Sequence, residues 1–205
     1  SLQHLERELD LLGAKRALVL STPEQRGQAD DIAKRLGAHA VGVYDKAVMH
    51  TPIESARAGR EEAKRVNAAC AIAIGGGSTI GLGTAIALDS SLPILAIPTT
   101  YAGSEMTPIL GITENGIKTT LRDGRMLPKT VIYDADLTLT LPAKLSATSG
   151  MNAIAHSVEA LYAKEANPII SLMAEESIRV LADALPIITR NSQDLAARSD
   201  AQYGA

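Results

Sequence analysis

The sequence predicts a parallel α/β domain followed by an all-helical region. Four short, uninterrupted apolar runs alternate with segments of helical spacing in the first two thirds of the chain, which is typical of a parallel sheet with right-handed crossovers. A run of glycines follows the third apolar run, and the chain after Pro142 has helical spacing throughout. We therefore predict an α/β domain over residues 1–141 and a helical domain over residues 142–205.

The first half of the chain opens with an amphipathic helix that Gly13 ends, because leucines recur there at three- and four-residue steps. Threonine, proline and a polar side chain three residues after the threonine predict capping boxes at Thr22 and Thr51, each opening a helix. A further helix of small residues follows the glycines. The strands predicted from the apolar runs cover residues 17–20, 40–44, 70–74 and 94–97.

The second half breaks this alternation. Two apolar runs at 109–113 and 117–121 flank Glu114-Asn115-Gly116, which is a strong hairpin signal. Residues 130–134 are predicted to return as a strand to the main sheet. Helices are predicted over 151–163, over 169–185 and from Ser192 onward. A helical region of about 60 residues is thin for its own core, so we expect a chain that is cut short.

The composition excludes several classes of protein. The chain has 205 residues, 46% of them apolar, and a net charge of −3 with no basic cluster, which argues against disorder, nucleic-acid binding and an anionic membrane partner. Aromatic residues are only 2%, so base-stacking surfaces are not expected. A single cysteine excludes an internal disulfide framework, and no apolar stretch is long enough for a membrane span or a signal peptide. We expect a cytoplasmic protein.

The stretch Gly75-Gly76-Gly77-Ser78 lies between a predicted buried strand and a helix start. Glycines let backbone N–H groups approach a ligand closely, and the helix N-terminus favours an anion. This predicts a phosphate or pyrophosphate cradle at the carboxyl end of a parallel strand. The stretch is neither G-x-G-x-x-G nor a Walker A loop. The alternative is a tight turn that needs glycine for geometry alone.

The next strand is followed at the same sheet edge by a hydroxyl-rich stretch, residues 98–105. Thr99, Thr100 and Ser104 can bind phosphate and ribose oxygens without adding charge. The alternative is a helix cap, which needs the same residue types.

Asn152 and His156 lie four residues apart on a predicted helix and therefore share one face. The surrounding sequence is apolar on nearly every side, which predicts a buried helix. The residues alone favour a hydrogen-bonded core pair over a functional pair. Cys70 lies inside a predicted strand and is expected to be part of the core.

These motifs carry a resemblance. IGGGST, IPTTYAGSEMTP and GMNAIAHSVEALY, in this order and spacing, resemble the iron-containing alcohol dehydrogenase superfamily. Within it, VMHTP, PTTYAGSEMTPI and TSGMNAIAH are especially similar to the maleylacetate reductases. The resemblance implies a dinucleotide-binding domain, a helical domain and an active site in the cleft between them. It also implies NAD(P)H-dependent reduction of maleylacetate to 3-oxoadipate in the breakdown of aromatic compounds.

The resemblance also implies roles for individual residues. The cofactor-binding residues are expected to be Thr22, Gly76, Gly77, Ser78, Thr99, Thr100 and Ser104. His156 is expected to face the substrate, a small dicarboxylate, and Tyr101 and Asn152 complete the predicted catalytic set. Ser21 and Thr22 after the first strand are neutral, so both NADH and NADPH should bind. A homodimer is a further expectation.

The chain departs from the family in ways that bear on a metal. In metal-dependent relatives the helix supplies an aspartate and, four residues later, a histidine, and the matching residues here are Asn152 and His156. An amide oxygen is a poorer ligand than a carboxylate for a divalent transition metal, so we predict no metal requirement. Thr84 and Leu121 stand where the family usually has lysine and glycine. The proton donor is expected among histidines of the family's longer helical domain.

The sequence leaves two other hypotheses for the function open. One is a metal-dependent alcohol or polyol dehydrogenase of the same superfamily, or its lyase relative dehydroquinate synthase. The other is a dinucleotide-binding module without turnover.

Overall fold

The computed structural model describes residues 1–49, 51–114 and 116–205. Its contacts divide the chain into two compact units. The α/β unit comprises Ser1–Pro98 with Ser104–Tyr133, and the helical unit comprises Thr99–Gly103 with Asp134–Ala205. The division after Tyr133 lies eight residues before the predicted boundary, because the short 3-10 helix Ala135–Thr138 packs against the last helix of the helical unit.

The α/β unit is built on a five-stranded parallel sheet, as the sequence predicts. Its strands in chain order are β1 (Ala17–Leu20), β2 (Ala40–Tyr44), β3 (Cys70–Gly75), β4 (Ile94–Pro98) and, after a hairpin, β7 (Thr130–Val131). They are arranged in the order β2-β1-β3-β4-β7. Every residue of β1, β3 and β4 is buried, which is why these strands read as uninterrupted apolar runs. The return strand is only two residues long, shorter than the five predicted.

Helices α1 (Leu5–Leu11), α2 (Arg26–Leu36), α3 (Ile53–Arg65) and α4 (Gly77–Ser90) precede or connect these strands. The predicted capping boxes are wrong in detail. Thr22 precedes a 3-10 turn, Pro23–Gln25, and its side chain makes no capping hydrogen bond. Pro52, not Thr51, directly precedes α3, and Thr51 has a left-handed backbone with φ of +38°.

The predicted hairpin forms a separate antiparallel sheet of β5 (Ile109–Glu114) and β6 (Ile117–Arg122). Asn115, the centre of its predicted turn, lies outside the described residues. Leu110 and Ile112 of β5 pack with Ala56 of α3 and Ala85 of α4. The hairpin is therefore fixed to the same two helices that cover the sheet.

The helical unit consists of α5 (Ala143–Tyr162), α6 (Pro168–Arg190) and α7 (Leu195–Gly204). Asn167 and Asp194 cap α6 and α7 through side-chain oxygens that accept backbone N–H groups. Their core also contains the side chain of Tyr101. Within the described residues, no helix combines the length and apolarity that a membrane span needs.

The prediction of a buried α5 is wrong. Its buried residues are Ser146, Gly150 and Ala153, whereas Met151 and Tyr162 are more than half exposed. The helix packs on α6 through small residues, and a Cβ on Gly150 would lie 3.0 Å or less from three atoms of Leu185. When a helix has apolar residues on nearly all of its faces, its sequence does not indicate which face packs against the rest of the protein.

Candidate functional site

The glycine turn after β3 is fixed by its surroundings. Gly75 has φ of +152°, which L side chains rarely adopt. A Cβ there would lie against Oγ1 of Thr79 and 2.7 Å from Oε1 of Gln25. Glycine is thus required at position 75 both by backbone conformation and by lack of space.

The N-terminus of α4 follows this turn. Gly76 is extended, and its carbonyl accepts the amides of Thr79 and Ile80, each at 3.1 Å. The first amides of the helix, on Gly77 and Ser78, have no carbonyl partner within the helix, and they lie at its positive end. A 14-residue helix opened by glycine at the end of a buried parallel strand suits an anionic phosphate group.

Two buried hydroxyls lie beside this turn. Among the described residues, Ser21 Oγ and Thr79 Oγ1 are buried with no hydrogen-bond partner. Ser21 follows β1, the strand next to β3, and Thr79 lies against Gly75. Unpaired buried hydroxyls are rare, and a ligand or a bound water completes such groups. Their place at the carboxyl edge of the sheet fits a dinucleotide.

A cleft of about 320 Å³ adjoins the start of α4. Three predicted cofactor residues line it together: Gly77, Ser78 and Ser104. Sequence reasoning missed its other walls, which come from the loop before α3, from α4 and from β5. They are Met49, Thr51, Ile80, Gly81, Thr84, Ile109, Leu110 and Gly111. The VMHTP segment and the hairpin were the available signals, and His50 of that segment lies outside the described residues.

Thr51 connects the walls of this cleft. Its carbonyl accepts the amide of Thr113 at 3.4 Å, and its Oγ1 would lie 2.7 Å from a Cβ on Gly81. Thr84, where the family usually has lysine, donates its hydroxyl to the carbonyl of Gly81 at 2.8 Å. The described lining of the cleft therefore has hydroxyl groups but no charged side chain.

The other predicted cofactor residues are distributed over both units. Thr22 is partly buried after β1, and Gly76 is the residue before α4. Thr99 is buried and Thr100 partly buried, and both belong to the helical unit. Their roles stay predictions.

Tyr101, a predicted catalytic residue, lies in the core of the helical unit with 1% of its surface exposed. Its hydroxyl accepts a hydrogen bond from Nη1 of Arg198 at 3.3 Å, and its amide donates to Oγ of Ser149 at 3.0 Å. The side chain is thus held on the inside of this unit.

Asn152 and His156 lie on an exposed part of α5. Nδ1 of His156 is 3.3 Å from Oε2 of Glu159, and both side chains are about two-thirds exposed. The expectation of a buried core pair is therefore wrong. Among the described residues, no three His, Cys, Asp or Glu side chains lie close enough together to hold a metal ion. The described donors do not by themselves fit an iron site.

Glu105 was not predicted as a functional residue. It is 4% exposed, and Oε1 accepts the hydroxyl of Tyr133 at 3.1 Å while Oε2 has no partner among the described residues. Burial raises the pKa of this carboxyl, against the effect of hydrogen bonds from its own amide and from Tyr133. Only its place within PTTYAGSEMTP pointed to it. Burial also raises the pKa of Cys70 to about 12, and its core position is confirmed.

Two family models match the chain. Residues 1–135 match "Iron-containing alcohol dehydrogenase", and residues 146–205 match "Fe-containing alcohol dehydrogenase family, C-terminal". A maleylacetate reductase of Burkholderia cepacia is 62% identical over all 205 residues. The chain spans 58% of the length of that relative.

Solved structures agree with these matches. The crystal structure of maleylacetate reductase from Agrobacterium tumefaciens superposes with a TM-score of 0.95 at 53% identity, over 98% of this chain and 57% of that one. An iron-containing alcohol dehydrogenase from Corynebacterium glutamicum gives a TM-score of 0.93 at 40% identity, over 98% of this chain and 56% of that one. The chain belongs to the iron-containing alcohol dehydrogenase family.

Proposed function

We propose that the full-length protein is an NAD(P)H-dependent maleylacetate reductase. It would reduce the carbon–carbon double bond of maleylacetate to give 3-oxoadipate during the breakdown of aromatic compounds. The observation that carries this proposal is the 62% identity to a maleylacetate reductase over the whole chain. A cytoplasmic location and a homodimer belong to the same proposal.

The glycine turn supports the cofactor part. Gly76, Gly77 and Ser78 would hold the pyrophosphate at the N-terminus of α4, and Thr22, Thr99, Thr100 and Ser104 would bind other parts of the nucleotide. A bound NADH or NADPH supplies the hydride. The protein must hold the reacting carbons close together and keep the substrate oriented.

Asn152 and His156 are the proposed substrate-binding residues. They lie one turn apart on α5, so the amide of Asn152 and the imidazole of His156 can donate hydrogen bonds to one small molecule. The carboxylate and keto oxygens of maleylacetate are suitable acceptors. Tyr101 is the third predicted catalytic residue, but its burial supports a role in positioning and not in substrate contact.

We further propose that NADH and NADPH both serve as cofactor. Ser21 and Thr22 follow β1, where an acidic residue would repel the 2′-phosphate of NADPH. Neutral hydroxyls lack that repulsion, so the preference should stay below about tenfold, or about 1.4 kcal/mol. A preference above a hundredfold in kcat/KM for either cofactor would contradict this.

Turnover without a metal is the part of the proposal that departs from the family's description as iron-containing. The neutral amide of Asn152 is a poor ligand for a divalent transition metal. Reduction of an activated double bond can also proceed with hydrogen bonds to the substrate in place of a Lewis acid. Exhaustive chelation should therefore leave the activity of the full-length protein unchanged. Asn152→Asp is the matched variant, because restoring the carboxylate should increase the iron retained.

The deciding assay supplies the full-length protein with NADH or NADPH and either maleylacetate or simple alcohols and aldehydes. Consumption of cofactor with maleylacetate alone supports the proposal. If the protein turns over alcohols, and this activity is lost when stoichiometric iron or zinc is removed, the protein is a metal-dependent alcohol dehydrogenase. Cofactor binding with no turnover of any substrate would assign a binding module.

A further inference from the structure

We propose that Arg198 and Tyr101 form an anchor that positions the segment Thr99–Gly103 for cofactor binding. Arg198 is then a positioning residue, and Tyr101 acts through the segment that it holds. This inference rests on the proposed function, because Thr99 and Thr100 of this segment are proposed to bind the dinucleotide. All residues of the anchor belong to the helical unit.

Arg198 is fully buried, and each of its hydrogen bonds goes to a neutral oxygen. Nε and Nη2 donate to the carbonyl of Ser192, and Nη2 also donates to that of Leu141, at 2.9–3.1 Å. Nη1 donates to Oγ of Ser146 at 2.6 Å and to the hydroxyl of Tyr101 at 3.3 Å. Among the described residues no carboxylate forms an ion pair with this guanidinium. Burying a charge is costly unless such a network compensates it.

The partners of Arg198 come from separate stretches of chain. Leu141 precedes α5, Ser146 lies in its first turn, and Ser192 follows α6. Tyr101 is 97 residues away from Arg198 in sequence. The planar fork of a guanidinium can donate in several fixed directions, which a lysine ammonium at the same place cannot reproduce. Arg198 therefore joins the irregular segment Thr99–Gly103 to the framework of the helices.

The segment itself depends on side-chain contacts for its position. It lies outside the sheet and the helices, and β4 ends at Pro98, directly before it. Two hydrogen bonds hold it to the helices: the Tyr101 amide donates to Ser149 Oγ, and the Tyr101 hydroxyl accepts from Arg198. Thr99 and Thr100 directly precede Tyr101, so a displacement of the tyrosine moves their hydroxyls.

The ring and the hydroxyl of Tyr101 contribute to the anchor in separable ways. Tyr101 belongs to the buried core cluster of the helical unit, which also contains Leu181 and Leu185, and its hydroxyl accepts a hydrogen bond from the guanidinium of Arg198. Tyr101→Phe keeps this packing and removes one hydrogen bond. A group in this position holds a backbone in place without contact with a substrate.

The test uses the full-length protein with Tyr101→Phe, Ser149→Ala and Arg198→Met. Tyr162→Phe and Arg179→Met are matched controls, because both residues are exposed on helices of the same unit. The measurements are the Kd for NADH, kcat and KM, the melting temperature, and hydrogen exchange of the amides of residues 99–103.

We expect Tyr101→Phe and Ser149→Ala each to raise the Kd and KM for NADH about three- to tenfold, with kcat within about twofold. Exchange in residues 99–103 should accelerate while the melting temperature stays within a few degrees. The control variants should leave all five quantities unchanged. Arg198→Met should show the same effects more strongly; if it does not fold, the two milder variants decide.

Three outcomes would overturn the anchor. Unchanged NADH affinity and unchanged exchange in Tyr101→Phe would show that the bond positions nothing. A large fall in kcat with an unchanged Kd for NADH would show that Tyr101 takes part in the chemical step itself. A lower melting temperature without any change in Kd or in exchange would assign it to stability alone. If the wild type binds neither NADH nor NADPH, the proposed function fails, and hydrogen exchange still decides whether the anchor orders the segment.

Discussion

The glycine turn of the α/β unit and the Asn152–His156 pair of the helical unit are both motifs of the same family, yet the structure defines them unequally. The turn is enclosed: β3 is fully buried before it, α4 is mostly buried after it, and Gly75 is packed against Gln25 and Thr79. The pair lies on an exposed stretch of α5, where Nδ1 of His156 is 3.3 Å from Oε2 of the exposed Glu159.

This difference shows which kinds of motif a local sequence can define. A turn that binds through its backbone is specified by the glycines and by the elements on either side of it, all of which are adjacent in sequence. A pair of side chains on a helix has a fixed mutual spacing but no fixed surroundings. Its chemistry depends on whatever else faces it.

The largest expected effect is on the free energy of unfolding, and it tests the difference in burial between β3 and α5. Ile72 in the middle of β3 is fully buried, and Ile72→Ala should lower the free energy of unfolding by about 2–5 kcal/mol through lost packing and a cavity. Met151→Ala on α5, where the side chain is 57% exposed, should change it by less than about 0.5 kcal/mol. Urea denaturation of both variants measures the difference. A comparable loss for Met151→Ala in the full-length protein would show that this face of α5 is covered there.

Helix packing in the two units offers a second comparison. A Cβ on Gly150 would lie 2.7 Å from Cδ1 and 3.0 Å from Cγ of Leu185, so Gly150→Ala should destabilise by about 2 kcal/mol. A Cβ on Gly59 of α3 would lie 3.0 Å from Leu82 and 3.1 Å from Ile86, both at side-chain ends. There the helix propensity gained, about 1 kcal/mol, offsets the crowding, and Gly59→Ala should be nearly neutral. Equal losses in the two variants would contradict this difference.

Affinity for the cofactor distinguishes the proposed role of the glycine turn from that of the Asn152–His156 pair. Gly77→Val should weaken NADH binding at least tenfold, or about 1.4 kcal/mol, because a branched side chain would stand where the phosphate is proposed to bind. His156→Ala should leave the Kd for NADH unchanged and lower kcat/KM for maleylacetate. Gly124→Val is the control, since nothing lies within 4 Å of a Cβ there. Unchanged affinity in Gly77→Val, measured by fluorescence titration, would refute the cradle.

The smallest effect concerns pH and the buried Glu105. Because its pKa is raised in the folded state, the folded protein holds this proton to higher pH than the unfolded chain does. The stability contributed by the protonated carboxyl is complete below the unfolded pKa and is lost as the pH rises through the folded pKa. Glu105→Gln should therefore gain in melting temperature relative to the wild type as the pH increases from 4 to 8. Parallel curves of melting temperature against pH for Glu105→Gln and the wild type would be evidence against the raised pKa.

Much of the α/β unit could be predicted because its signals are local. Uninterrupted apolar runs mark strands that are buried on both faces, and the predicted strands at 17–20, 40–44, 70–74 and 94–97 agree with the structure to within one residue. The glycine turn and the hairpin strands were found in the same way.

What the sequence determined by itself is therefore the order of the elements, the turn that suits a phosphate, and the spacing of Asn152 and His156. The tertiary structure alone decided that α5 leaves those two side chains exposed, that Thr51 takes a left-handed backbone beside Gly81, and that Thr99–Gly103 packs with the helices. It also decided that Tyr101 is buried against Arg198, 97 residues away. The physical reason is range: periodicity and turn chemistry act over a few residues, whereas burial depends on partners that only the folded chain brings together.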